Sequence, residues 1–286
     1  MGIVLGPNQY GKAEIRLVTV TRDGPVHTIR DLTVTTSLRG DLADAHLNGD
    51  NADVLPTDTQ KNTAYAFAKE APVGEIEDFA LRLARHFVIT QQAITRARVL
   101  VEEHSWQRIN GHDHAFVRGS GERRTATATV DGDRSRVVSG LTDLVVLKSA
   151  GSEFHGFPRD GYTTLAETDD RVLATSVTAR WRHQGPGVDW TASFTRVRAA
   201  LLRTFADRRS LSLQQTLYEM GRAAVETGPE IAEIRMSMPN KHHFAVDLSP
   251  FGLENHNEVF HAVDRPYGLI EGTVLRDDAE EPGAAW

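Results

Sequence analysis

The order of hydrophobic periodicities constrains this chain more than any single motif does. Strand-like alternation over residues 13–21, with Ile15 and Leu17 set against Arg16, Val18 and Val20, recurs over 27–38. Arg22-Asp23-Gly24-Pro25 between them has the composition of a hairpin turn. Two helical patterns follow. The first starts near Thr57 and continues to about Lys69; the second places Ile76, Phe79, Ala80, Leu83, Ala84 and Phe87 on one helix face. Residues 93–106 and 114–130 then alternate again, rich in β-branched side chains, and read as two more strands.

The second half repeats this order. Residues 136–149 and 171–183 read as strands, and Trp190, Phe194, Val197, Leu201, Leu202 and Phe205 mark an amphipathic helix. Leu213, Leu217, Met220, Gly221 and Ala224 mark another, after which strands return at 231–238 and 244–248, with 257–263 as a further candidate. The repeat is one of architecture, and 94–106 occupies in the first half the place of 231–244 in the second. Two ββααββ blocks predict an α+β fold. Each block becomes an antiparallel four-stranded sheet with two helices on one face, in domains 1–133 and 134–286, the second carrying a C-terminal tail. The other face of each sheet needs a cover, which a partner subunit could supply.

At 286 residues and 40% hydrophobic content, the chain can build a core in each of two domains. A net charge of -7 argues against nucleic acid as a partner. The densest basic cluster, Arg118 to Arg124, is interrupted by Gly119, Gly121 and Glu122 and reads as a solvated turn and strand edge. With no cysteine, disulfides, thiolate nucleophiles and Cys-ligated zinc are excluded. No apolar stretch approaches the ~20 residues needed to span a bilayer. Residues 1–12 lack an export signal and 280–286 carry no Ser-Lys-Leu address, so a cytoplasmic protein without a membrane partner is expected.

Gly119-Ser120-Gly121 lacks the third glycine of a dinucleotide loop, and His112-Asp113-His114 follows Asn110-Gly111 as a turn would, so neither cofactor nor metal is expected. Pro239-Asn240-Lys241-His242-His243-Phe244 ends an apolar strand-like stretch with polar groups that need partners or water. Alternation would set Asn240 and His242 on one face, Lys241 and His243 on the other. A hydrogen-bonded strand end and a ligand site both fit. In Pro56-Thr57-Asp58-Thr59-Gln60, the Thr57/Gln60 spacing is that of a capping box, and pattern alone favours this over catalysis. Lys12, in Tyr10-Gly11-Lys12, reads by itself as a surface residue.

Taken together, these motifs resemble the urate oxidase (uricase) family. The resemblance covers nearly the whole chain: Tyr10-Gly11-Lys12, then Thr57-Asp58 with Lys61-Asn62-Thr63, then 144–148, Phe154, Phe157, Tyr162, Leu165 and Arg171, and finally Leu213-Gln214 and Pro239-Asn240-Lys241-His242. Ala150, where the family prefers Ser or Thr, and Leu213, where Val is frequent, are departures outside side-chain contacts to substrate. The resemblance implies tandem tunnelling-fold (T-fold) domains assembling as a homotetrameric barrel, with active sites at subunit interfaces. Urate and dioxygen would be the partners, with no cofactor and no metal.

By the same resemblance, Arg171 and Gln214 would clamp planar urate, Phe154 would stack on it, and the backbone at Leu213 and Asp58 would complete the in-plane contacts. A guanidinium fork suits an anionic edge, and an amide offers one donor and one acceptor. Lys12 and Thr57 would form a basic dyad, with Thr57 from a neighbouring subunit and His242 completing a proton relay. Asn240 and Thr57 would flank the place of dioxygen, peroxide or attacking water. The implied products are 5-hydroxyisourate and hydrogen peroxide. Another tunnelling-fold enzyme acting on a purine or pterin, and a non-catalytic purine-binding oligomer, are the competing readings.

Overall fold

The computed structural model describes residues 2–286 apart from the side chain of Asp264. The chain forms two compact units. One takes the chain up to Gly140 together with 182–191 and 280–286; the other takes 141–181 and 192–279.

In the first unit, β1 (Ile15–Thr21), β2 (Thr28–Gly40), β3 (Ile94–Arg108), β4 (Phe116–Asp131) and the start of β5 (Arg134–Lys148) neighbour one another in chain order. Antiparallel register aligns Ile15 with Val34, Val34 with Val101 and Val101 with Ala126, one buried apolar row across four strands. A short α1 (Ala43–Leu47), absent from the sequence reading, precedes α2 (Thr57–Glu70) and α3 (Ile76–Thr90). Helix α3 buries Ile76, Phe79, Ala80, Leu83, Ala84 and Phe87, the stripe that periodicity predicted, in one core with Leu32 and Val99.

The second unit holds the rest of β5, then β6 (Leu173–His183), α4 (Trp190–Asp207), α5 (Leu213–Val225), β7 (Ile231–Ala245) and β8 (Phe260–Leu275), with the strands again neighbours in chain order. Its core joins Leu141, Val177, Trp181, Leu201, Leu217 and Met238. Among the described residues, no helix is long and apolar enough to cross a membrane.

Three sequence expectations change. The stretches 231–238 and 244–248 are not separate strands, because pairing with β8 runs on through Pro239 opposite Leu269 and His242 opposite Val263. The polar run therefore lies inside β7. Register slips between Asn240, opposite Gly268, and His242, so simple alternation no longer assigns their faces. The candidate strand at 257–263 is the start of β8, which extends to Leu275. Finally, Arg118 to Arg124 lie within β4 rather than in a turn: Arg118 pairs with Asp31, Arg123 with Glu102, and Arg124 with Glu75 and Glu77.

Candidate active site

The first unit gathers Lys12, Thr57 and Asp58. The segment before β1 is stitched to β2 by a bridge between Tyr10 and Leu38 and by the Thr36 amide, which donates to the Lys12 carbonyl at 2.9 Å. The Lys12 amide in turn donates to the Thr36 hydroxyl at 3.1 Å, and that hydroxyl donates to Gln60 Oε1 at 2.7 Å. Gln60 is on the first turn of α2, which opens with Thr57.

The capping box does not form. Pro56 occupies the cap position, Thr57 is the first helical residue, and no side chain caps the helix. Gln60 is turned inward to Thr36 instead, which leaves the Thr57 hydroxyl without a capping duty. The exposed Asp58 carboxylate bonds Lys61 and takes a 3.0 Å bond from Asn62 Nδ2. Lys61 thereby holds it below the usual carboxylate range, and the charge of Lys12 adds to this. The Lys12 backbone and the helix end that carries Thr57 are thus tied together through Thr36 and Gln60. In the first turn of α2, the amides of Thr57 and Asp58 have no intrahelical acceptor and favour an anion.

The second unit gathers Phe154, Arg171, His242 and the start of α5. Arg171 lies over Phe154, 5.1 Å from the ring centroid, and Phe154 stacks at 5.0 Å on Phe157. The Phe154 backbone bridges Thr168 in both directions, at 2.9 and 3.2 Å. The Arg171 amide donates to the Ser152 carbonyl at 2.8 Å, and Asp170 Oδ1 accepts from the amides of Gly151 and Ser152. Ser152 also pairs with the buried Ser210, whose hydroxyl accepts from Thr216 on α5 at 2.7 Å. One lattice of backbone and side-chain hydrogen bonds therefore fixes the loop bearing Phe154, the base of Arg171 and the approach to α5.

Ser212 caps α5 by accepting from the Gln215 amide at 3.1 Å. Leu213 is the first helical residue and is 2% exposed, its side chain part of the second core. Gln214 follows with an exposed side chain. Burial lowers the pKa of Arg171, and its Nε is buried without a hydrogen-bond partner. The His242 imidazole is held below its ordinary range, first by burial and then by the Arg171 charge, and its ring stacks on Phe244 at 5.6 Å. Asn240 lies just before the register slip that precedes His242.

Sequence reasoning missed Thr36, Ser152, Asp170 and Ser210. Small polar residues in loops or on a Thr-rich strand carry no motif, and only the fold shows what they join. Gln60 was noticed for the wrong reason. Among the described residues, no group of three or more His, Asp or Glu is placed to hold a metal ion.

Comparison with known proteins gives these groups a context. The uricase family model matches residues 8–129 and 137–271. The chain belongs to the uricase family. A uricase of Arthrobacter globiformis is 56% identical over 99% of this chain and 94% of its own length. The Dictyostelium discoideum uricase is 38% identical over 94% of this chain and 96% of its own. The crystal structure of the Arthrobacter uricase superposes with a TM-score of 0.95, covering 98% of each chain. Urate oxidase from Bacillus sp. TB-90 aligns at a TM-score of 0.80 and 22% identity over 94% of this chain and 100% of that one, a likeness of fold alone. Family membership makes the chain an oxidoreductase of the urate oxidase class with the expected α+β tunnelling fold.

Proposed function

We propose that this uricase-family chain oxidises urate with dioxygen and water to 5-hydroxyisourate and hydrogen peroxide, without a cofactor. The observation that carries the reading is Arg171, a half-buried guanidinium whose Nε lacks a partner and which lies against an aromatic face. A planar purine anion answers both features: its edge accepts from the guanidinium fork, and its face stacks on Phe154. Gln214 and the backbone of Leu213 supply further in-plane contacts.

Deprotonated urate is electron-rich enough to reduce dioxygen directly, so the protein has to bind it, move protons and keep competing water out. Lys12 and Thr57 take the proton from the substrate or the attacking water, and His242 relays it. Asn240 and Thr57 flank the dioxygen and water position, where a neutral amide donor stabilises a developing peroxide anion. The balance closes: urate loses two electrons and gains a hydroxyl at C5 from water, while dioxygen takes both electrons and two protons as hydrogen peroxide.

Lys12 and Thr57 share one unit, so if a neighbouring subunit supplies one it supplies both. We infer a homotetramer in which Lys12, Thr57 and Asp58 of one chain meet Arg171, Gln214 and His242 of another. Val145 and Leu147 on β5, with Leu269 and Leu275 on β8, leave apolar side chains exposed on a single chain, which supports association.

The test is loss of urate absorbance with matching oxygen uptake by chelator-treated protein, run beside a sizing measurement. Absence of oxygen uptake by an intact oligomer would sink the reading and favour a purine-binding role.

A further inference from the structure

We propose that Thr36 and Gln60 form a coupled positioning pair that sets Lys12 against Thr57. The inference rests on reading Lys12 and Thr57 as the proton-handling dyad. Both partners lie in the interior: Thr36 is 1% exposed and Gln60 0%. They form a directed chain in which the Lys12 amide donates to Thr36 Oγ1, the Thr36 hydroxyl to Gln60 Oε1, and the Gln60 amide to the Leu55 carbonyl at 3.4 Å.

The placement of this chain argues for more than a satisfied core. The segment before β1 that carries Lys12, laced to Thr36 of β2, and the helix end carrying Thr57 are joined here by one bond between buried side chains. Two apolar residues could fill the same space between sheet and helix, but apolar contact fixes no direction, whereas a 2.7 Å hydroxyl-to-amide bond fixes both height and rotation. Gln60 also holds the carbonyl that precedes Pro56, so the turn into α2 is pinned on both sides of Thr57. Misplacement of a reacting group by about 1 Å can cost on the order of a hundredfold in rate.

The pair also carries a signature. Removing one buried partner strands the other, while replacing both with apolar groups of matching size approaches neutrality. Gln60→Leu and Thr36→Val should each lower kcat about tenfold or more, with KM for urate changed less than about threefold and the pH-rate profile displaced. The double variant should regain stability while losing no more kcat than the worse single variant, because the bond is already gone in each, and Thr36→Ser, which keeps the hydroxyl, should stay close to the parent. Should Gln60→Leu fail to fold, Gln60→Asn, one methylene short of Thr36, is judged by the same readings.

The inference is overturned if the single variants lose thermal stability while kcat and the pH profile remain those of the parent. It is overturned equally if the losses of the two single variants multiply in the double. Lys12→Met and Thr57→Ala, assayed in parallel, separate the two levels. If both keep parental kcat, the dyad reading falls and the pair has nothing to position. If both lose activity while the Gln60 variants do not, the positioning inference alone falls.

Discussion

The guanidinium of Arg171 sits 5.1 Å from the centroid of the Phe154 ring while its Nε, buried, has no hydrogen-bond partner. The ring lies against the guanidinium, and Nε keeps an unmet hydrogen bond. Lysine would keep the charge and lose both the plane and the fork. Arg171→Lys should therefore weaken substrate binding by about 2 to 3 kcal/mol, on the order of 30- to 150-fold. The loss should fall mainly on KM and equally on the dissociation constant of a non-oxidisable purine analogue. An analogue bound as tightly as by the parent would remove Arg171 from the clamp.

Thr57→Ala separates catalysis from helix capping. With Pro56 in the cap position and no side-chain cap, alanine at the first helical residue should leave stability within about 0.5 kcal/mol of the parent. Turnover should fall at least about a hundredfold if Thr57 handles protons. Denaturant unfolding and steady-state oxygen uptake on one preparation test both. A stability loss of about 1 kcal/mol with activity kept would restore the capping role.

If His242 relays protons as proposed, turnover as well as stability should be sensitive to acid. Burial and then the Arg171 charge hold its folded pKa below the ordinary value of 6.5, so the unfolded chain takes up the proton first. The stability contributed by the neutral ring is thus fully present above about pH 6.5 and is lost as pH falls through the folded value. If relay needs the neutral imidazole, the acidic limb of kcat should lie below about pH 6.5. Arg171→Gln should move that limb upward by part of the shift, since burial is the larger cause. A limb unmoved in Arg171→Gln and also unchanged in His242→Ala would detach it from this histidine.

The fold was legible where one periodicity dominated. Alternation located β1 to β6 to within a few residues, and the stripe from Ile76 to Phe87 matched the buried face of α3. It failed in β7 and β8, where Pro239, Pro266, Gly268 and Gly272 break the apolar rhythm although backbone pairing largely continues. The candidate site could be read only as a spaced set of motifs. Arg171 alone is one arginine among many, and Thr57 alone looked like a helix cap. The Thr36–Gln60 contact joins residues 24 apart on a strand and a helix, and no local pattern encodes such a pair.

Gly11 offers a backbone test of the same half of the site. A Cβ there would stand 1.8 Å from the Thr36 carbonyl oxygen and 2.7 Å from its carbon, both main-chain atoms that no rotamer can move aside. Gly11→Ala must therefore push the segment carrying Lys12 away from β2, weakening the amide bond to Thr36 Oγ1. We expect a stability loss of roughly 1 to 3 kcal/mol, as for other overpacked contacts. The accompanying fall in kcat should exceed what the remaining folded fraction explains. Gly6→Ala is the control, because nothing lies within 4 Å of a Cβ at that position. It should match the parent in both thermal unfolding and oxygen uptake. Parental kcat in folded Gly11→Ala would show that the lysine tolerates displacement, and that its proton is not exchanged under the geometric control argued for the dyad.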